Sequence, residues 1–271
     1  MPPAPDPART PAHGSASYVH GYTPGEQRRL IEQGEFWKHR LILDGTDLPP
    51  GTRLLDVGCG AGAVLGVLGD AFPGVQLHGV DIAPAQIAFA RSYLGARGTP
   101  AALCAADARR LPFPDASFDQ VWMMWTLEHL SEDGALRALR EARRVLVPGG
   151  GITVVELDYG TIRVAPATPA VRAALTAMVA AMGAHGRSDA GTQLWGWLEE
   201  TGFSGIRPGE RLCAFRGAEA PPVAHYFADA LEATLREGPE DLALRRALTE
   251  LRSPGPGTWL RSVIHKAAAT A

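Results

Sequence analysis

The sequence predicts an α/β fold: a doubly wound, mostly parallel seven-stranded sheet with helices on both faces and helical lid insertions. Three observations carry that expectation. From Thr52 to Tyr159, short apolar runs rich in Val, Leu and Ile alternate with longer segments of helical spacing. The connections are long enough to hold the crossover helices that parallel neighbours need. A glycine-rich turn, LLDVGCGAG (Leu54–Gly62), joins the first apolar run to the first helical segment.

TPGEQRRLIEQGEFWKHRLIL (Thr23–Leu43) reads as a helix, with Thr23 as N-cap, Pro24 at the first helical position and Glu26 completing a capping box. DGTDLPPG then breaks the chain. RLLDV is a first buried strand, and AVLGVLGDAF is the helix after the glycines. VQLHGVDI is a second strand, with APAQIAFARSYLGARG as its helix; ALCAADA and FDQVWMMWTL are the third and fourth strands. A helix begins near Ser131 and stops at Pro148-Gly149-Gly150, and GITVVELDY is the fifth strand. Regularity then falters. An Ala-rich helix is expected over about 169–182, a short helix in TQLWGWLEETGF ending at Gly202, and a sixth strand in IRPGERLCAF. One or two helices follow over 219–252, and TWLRSVIHKAAA returns as a last strand.

Composition narrows the function. With 271 residues, 46% of them hydrophobic, the chain can bury a substantial core. Lys and Arg number 26 against 29 Asp and Glu, intermixed along the chain, so nothing favours nucleic acid or an anionic membrane as partner. No run approaches the roughly 20 apolar residues of a membrane span. MPPAPDPARTPAHGSAS lacks the charged-then-apolar order of a signal peptide. Cys59, Cys104 and Cys213 are isolated and odd in number, which suggests neither a disulfide framework nor a metal site. The expectation is a cytoplasmic protein without metal.

The glycine turn follows a strand and opens a helix, the context of a nucleotide site, where a missing Cβ lets the backbone approach a ligand. Gly58, Gly60 and Ala63 satisfy the GxGxxA form of a dinucleotide fingerprint, so the glycines alone leave a nicotinamide cofactor open. Three acids add to it. Asp56 stands immediately before the loop, where it can meet a cationic group. Asp81 ends the second strand, where an acid accepts from both ribose hydroxyls. Asp107, beside Ala108, ends the third strand.

In LLDVGCGAG, GVDIAPAQIAFAR, AADARRLPFPDASFDQVWMMWTLEHL and EARRVLVPGG the sequence resembles the class I S-adenosylmethionine-dependent methyltransferases, in particular the ubiquinone/menaquinone-biosynthesis-like branch. The likeness covers about residues 52–157. It implies a Rossmann-like domain over 23–271 with S-adenosyl-L-methionine as cofactor, after a loosely ordered tail at 1–22. Within that domain it implies a capping helix (23–48), a cofactor-binding core (49–159), a lid insertion (160–190) and a C-terminal part (191–271) with a helical insertion at 219–252. Gly58, Cys59, Gly60 and Gly62 would contact the methionine and ribose part, with Asp56 supporting the ammonium. Asp81 would bind the ribose diol, with Gln86 in the same set, and Ile82 would pack on the adenine. Asp107 would accept from the adenine amino group beside the Ala108 amide. Trp125 would lie near the transferred methyl, and Tyr18 or Tyr22 would reach the carboxylate.

A sulfonium activates its own methyl group, so the protein must chiefly orient a nucleophile and exclude water. A base is required only if that nucleophile loses a proton. Open α/β sheets place their clefts at the carboxyl ends of the strands, which singles out His129 after strand four and Glu156, Asp158 and Tyr159 at the end of strand five. Alternation puts Glu156 and Asp158 on one side, one of them toward the cleft. The leading expectation is a methyltransferase acting on a small-molecule acceptor, as a monomer or homodimer. An alternative puts the same cofactor to non-methylating chemistry such as intramolecular cyclisation. A nicotinamide dehydrogenase is a third reading, but it has no use for Asp56 or the Asp107-Ala108 pair.

Overall fold

The computed structural model describes residues 23–235 and 242–271. Helix α1 (Pro24–Trp37) opens the fold; the Thr23 hydroxyl accepts from the Glu26 amide at 3.2 Å, and Pro24 occupies the first turn. The Glu26 carboxylate takes a two-pronged bond from Arg29, at 2.7 and 2.8 Å. Past Trp37 the helix widens into a π turn over Lys38–Ile42.

The core alternates as expected: β1 (Arg53–Val57), α2 (Ala63–Ala71), β2 (Gln76–Asp81), α3 (Pro84–Arg97), β3 (Ala101–Ala105), β4 (Phe118–Met124) and α4 (Glu132–Val145). Strand β5 (Leu146–Ala165) follows, then α5 (Pro169–His185) and α6 (Ala190–Glu200). The chain ends with β6 (Ser204–Arg207), β7 (Glu210–Arg216), α7 (Ala220–Leu235), α8 (Leu242–Arg252) and β8 (Trp259–Thr270). The sheet runs β3-β2-β1-β4-β5-β8-β6, with β7 also paired to β8. Neighbours from β3 to β5 are parallel, and β8 is antiparallel to β5.

The count is eight strand segments where seven strands were expected. The sixth strand is split at Pro208-Gly209, and both pieces, β6 and β7, lie along β8. Proline has no N–H for the ladder, so the pairing slips there; the Lys266 amide still donates to the Gly209 carbonyl at 2.8 Å. A second difference concerns β5, which continues past Tyr159 to Ala165, beyond an irregularity between Asp158 and Arg163. Residues 160–165 are therefore sheet, and helix α5 starts only at Pro169.

Both faces of the sheet are covered, which is why its strands alternate between two cores rather than between core and water. Leu54, Trp122, Val155 and Leu157 pack with α1, α2, α5, α7 and α8. Leu55, Val57, Val121, Met123 and Val154 pack with α4 and α6. On the first side α5, α7 and α8 pack on one another over the carboxyl ends of the strands.

Candidate active site

A cavity opens at the carboxyl ends of β1, β2, β4 and β5, roofed by α1, α5 and α7. The glycine turn forms its floor. The Gly58 and Cys59 amides both donate to the Val80 carbonyl, at 2.8 and 2.9 Å, and so tie the loop to β2. A Cβ on Gly58, at φ +79°, would lie 2.5 Å from the Thr126 hydroxyl oxygen. That glycine serves the close approach of two loops. Gly60 (φ +49°) faces the cavity, with only a Leu30 methyl within 4 Å of its would-be Cβ. Gly62 packs on Ala90 and Leu94 of α3 and, unlike Gly58, Cys59 and Gly60, does not line the cavity.

Asp81 braces this turn: one carboxylate oxygen accepts from the Gly60 amide and the other from the Ala83 amide, both at 2.9 Å. Each oxygen keeps a second lone pair. Burial pushes its pKa up while the two amides pull it down. Asp56, 2% exposed, also lines the cavity, and its Oδ2 has no hydrogen-bond partner. Burial and the neighbouring Asp81 charge push its carboxyl up to about 8. Gln86 is equally buried, with an unpartnered Oε1. These orphaned acceptors at the base of a cleft fit the ammonium end of S-adenosylmethionine, and Asp81 fits a diol.

Ile82 and Ala108 line the cavity beside Asp107. Asp107 is engaged by Arg109, whose backbone amide (2.8 Å) and side chain (2.6–3.1 Å) bond both carboxylate oxygens and hold its pKa low. An adenine amino group would share Asp107 with that arginine. Tyr18 and Tyr22 lie outside the described residues. The charged group that α1 does bring to the cavity is Arg29, which the sequence did not single out; nothing distinguishes it locally from the other arginines of an amphipathic helix.

Of the four residues the sequence singles out for the far end, His129 and Tyr159 line the cavity and the two acids do not. Leu157 and Tyr159 line it, whereas Glu156 and Asp158 do not. Alternation along β5 holds, but the other set of side chains faces the cleft. Glu156 is wholly buried and accepts from three backbone amides, Thr126 (3.0 Å), Leu127 (2.7 Å) and Glu128 (3.2 Å). It caps the turn after β4 instead of meeting a substrate. Asp158 accepts from the Gly160 amide and the Thr192 hydroxyl, at 2.9 and 2.7 Å, which closes the turn after it.

The turn held by Glu156 carries Trp125, a non-glycine residue at φ +51°, and the 3₁₀ turn Leu127–His129. Trp125 lines the cavity with its indole N–H unpartnered. The Tyr159 hydroxyl donates to Glu128 at 2.8 Å. Burial and the negative charge of Glu156 push the Glu128 carboxyl well up. His129 lines the cavity and is held down to about 4 by burial and the Arg29 charge, so it is neutral at neutral pH. Among the described residues no cluster of His, Cys, Asp or Glu could hold a metal ion, and the three cysteines are unpaired. No described helix is long and apolar enough to cross a membrane.

Asp56 yields a first testable result. At pH 7 a carboxyl at about 8 carries a proton, and an ammonium placed beside it favours the ionised form. Binding of S-adenosylhomocysteine at pH 7 is expected to release close to one proton per site. Titration calorimetry in buffers of different ionisation enthalpy reads that number, and Asp56→Asn should bring it near zero.

A family profile described as "Methyltransferase domain" matches residues 54–150. Demethylmenaquinone methyltransferase of Thermus thermophilus is 36% identical over 120 residues, 44% of this chain and 53% of that protein. The 27-O-demethylrifamycin SV methyltransferase of Amycolatopsis mediterranei is 36% identical over 137 residues, 50% of this chain and 49% of that one. The chain thus spans about half the length of the curated relatives it matches. Among solved structures, the [4+2]-cyclase SpnF superposes with a TM-score of 0.56 at 25% identity, over 88% of this chain and 80% of its own. Profile, relatives and strand order agree: residues 54–150 of this chain match a methyltransferase domain, and the core is similar to demethylmenaquinone and ubiquinone/menaquinone-biosynthesis methyltransferases.

Proposed function

We propose that the protein is a methyltransferase that transfers the methyl group of S-adenosylmethionine to a small-molecule metabolite or natural-product acceptor. The observation that carries the reading is the pairing of Asp56, buried and unpartnered in the cleft, with Asp81, braced by the glycine turn it supports. Together they offer a cation site and a diol site side by side. The curated relatives support the acceptor class, since their names specify a menaquinone precursor and a rifamycin. Intermixed surface charge gives a polyanion nothing to bind. Unpaired cysteines support a reducing, cytoplasmic setting.

When bound, S-adenosylmethionine supplies a methyl group already activated by its sulfonium. The chain's own residues then bind, orient and exclude water. Asp56 and Gln86 hold the ammonium end, Asp81 the ribose, and Ile82 and Ala108 flank the adenine with Asp107. Trp125, whose backbone N–H donates a hydrogen bond to the Val155 carbonyl at 2.8 Å, forms the boundary between the cofactor end and the acceptor end. His129, neutral and close to Glu128 (3.7 Å), is the group able to take a proton from an acceptor.

The likeness to a [4+2]-cyclase over most of the chain favours a second reading, in which the cavity closes a ring without methyl transfer. Incubation with labelled S-adenosylmethionine and a panel of small-molecule acceptors tests both. Methyl transfer gives S-adenosylhomocysteine in step with a methylated acceptor. Methylthioadenosine, or a cyclised product without any cofactor turnover, would replace the first reading with the second.

A further inference from the structure

We propose that Ser262 is a specificity-determining contact for the acceptor, its hydroxyl bonding an oxygen of a mostly apolar molecule without a carboxylate, held between β5, β8, α5 and α7. The proposal rests on the methyltransferase reading of the cavity and adds the chemical class of the acceptor and a residue that reads it.

Ser262 is 1% exposed, lines the cavity and has no partner for its Oγ. A buried hydroxyl left unpaired costs stability that an alanine at the same place would not. The other orphaned polar atoms of the cavity lie on Trp37, Asp56, Gln86, Trp125 and Glu128. Ser262 instead stands on β8. Alternation puts it on the same face as Ile264, which pairs with Leu157 of β5. Met178 of α5 and Phe227 and Ala230 of α7 complete an apolar wall around it. A single hydroxyl within that wall selects one polar atom on an otherwise apolar ligand, the usual economy of a small-molecule pocket.

The charged and titratable groups that face this end leave no counter-charge for an anion. Glu128 takes the Tyr159 hydroxyl on one oxygen and has its Oε2 unpartnered, and burial with mutual repulsion holds a proton on the Glu128–Glu156 pair. His129 is neutral. His185 has its Nδ1 on the Ala181 carbonyl at 2.9 Å. Arg29 is neutralised by Glu26. A carboxylate on the acceptor would lose its water here and gain no counter-charge.

Calorimetric titration of naphthalene, 2-naphthol and 2-naphthoate into the full chain, with and without S-adenosylhomocysteine, tests this. The neutral pair should bind more tightly than 2-naphthoate, and 2-naphthol about 5- to 10-fold more tightly than naphthalene. Ser262→Ala should erase the preference for 2-naphthol and leave naphthalene unchanged; Ser262→Thr, which keeps the hydroxyl, should retain it. An unchanged preference in Ser262→Ala, 2-naphthoate that binds as well as the neutral probes, or no binding by any probe overturns the proposal. If S-adenosylhomocysteine fails to bind while the Ser262-dependent preference persists, the methyltransferase reading falls and the assignment of Ser262 stands. Cofactor-product binding without any Ser262-dependent preference does the reverse.

Discussion

Asp81→Ala is expected to weaken S-adenosylhomocysteine binding about 100-fold while leaving the protein folded. The side chain has two tasks at one place. Its oxygens hold the Gly60 and Ala83 amides at 2.9 Å, which sets the glycine turn against the start of α3. Its remaining lone pairs face the cavity, where the ribose diol is proposed to bind. A hydrogen bond to a charged group contributes about 1.5–3 kcal/mol. Losing two such ligand contacts amounts to about 3 kcal/mol, or roughly 100-fold in affinity. Asp81→Asn keeps one acceptor oxygen but turns an amide N–H₂ toward a backbone N–H, so an intermediate loss of about 10-fold is expected. Calorimetry with S-adenosylhomocysteine decides the matter, and a threefold change or less in Asp81→Ala would remove Asp81 from the cofactor site.

The proposed cofactor end of this cleft was legible because its parts are local. Asp56, the glycines and Asp81 sit within one strand–turn–helix–strand unit, and that unit's geometry follows from short-range rules. Strand identity was legible for a similar reason: Val, Leu and Ile runs of five or six residues between helical segments have few other readings. The acceptor end was not legible, for two physical reasons. Arg29, Glu128 and Ser262 come from α1, the turn after β4, and β8, brought together only by tertiary packing. The second reason lies in the strand itself. Period-2 alternation sorts β5 into two sets but cannot say which set meets the cleft when both faces are covered. Polarity misleads there, since Glu156 looks like a solvent or substrate group and is in fact the most buried acid of the site. Three backbone amides make that burial tolerable, and backbone amides leave no trace in side-chain patterning. Pro208-Gly209 is a contrasting case: the break in the sixth strand was written in the sequence as a dipeptide with no N–H to give the ladder at its first residue.

Glu156→Ala is expected to destabilise the protein by about 4 kcal/mol, read as a lower urea midpoint at unchanged slope. The three amides it accepts from belong to consecutive residues, and no other described group takes them over in the folded turn. A buried donor left without an acceptor costs about 1–3 kcal/mol, and the small cavity adds to that. Relief of the repulsion between Glu156 and Glu128 offsets part of the loss, which keeps the figure below the full sum. Glu156→Gln retains an acceptor for the Thr126 and Leu127 amides and should cost about half as much. The effect also carries a pH signature. Burial raises both carboxyls of the pair above their ordinary values, so the folded protein holds a proton that the unfolded chain has released. Stability from this source is fully present at and below the ordinary carboxylate range and falls as pH rises through the folded values, by up to about 1.4 kcal/mol per pH unit for one proton. Asp56 has the same sign over pH 4 to 8. Wild-type stability should therefore decline between pH 5.5 and 7.5, and Glu156→Ala should flatten that decline by one proton's share. A loss under 1 kcal/mol, or a pH slope equal to that of the wild type, would mean that the turn carrying Trp125 is held by something other than this carboxylate.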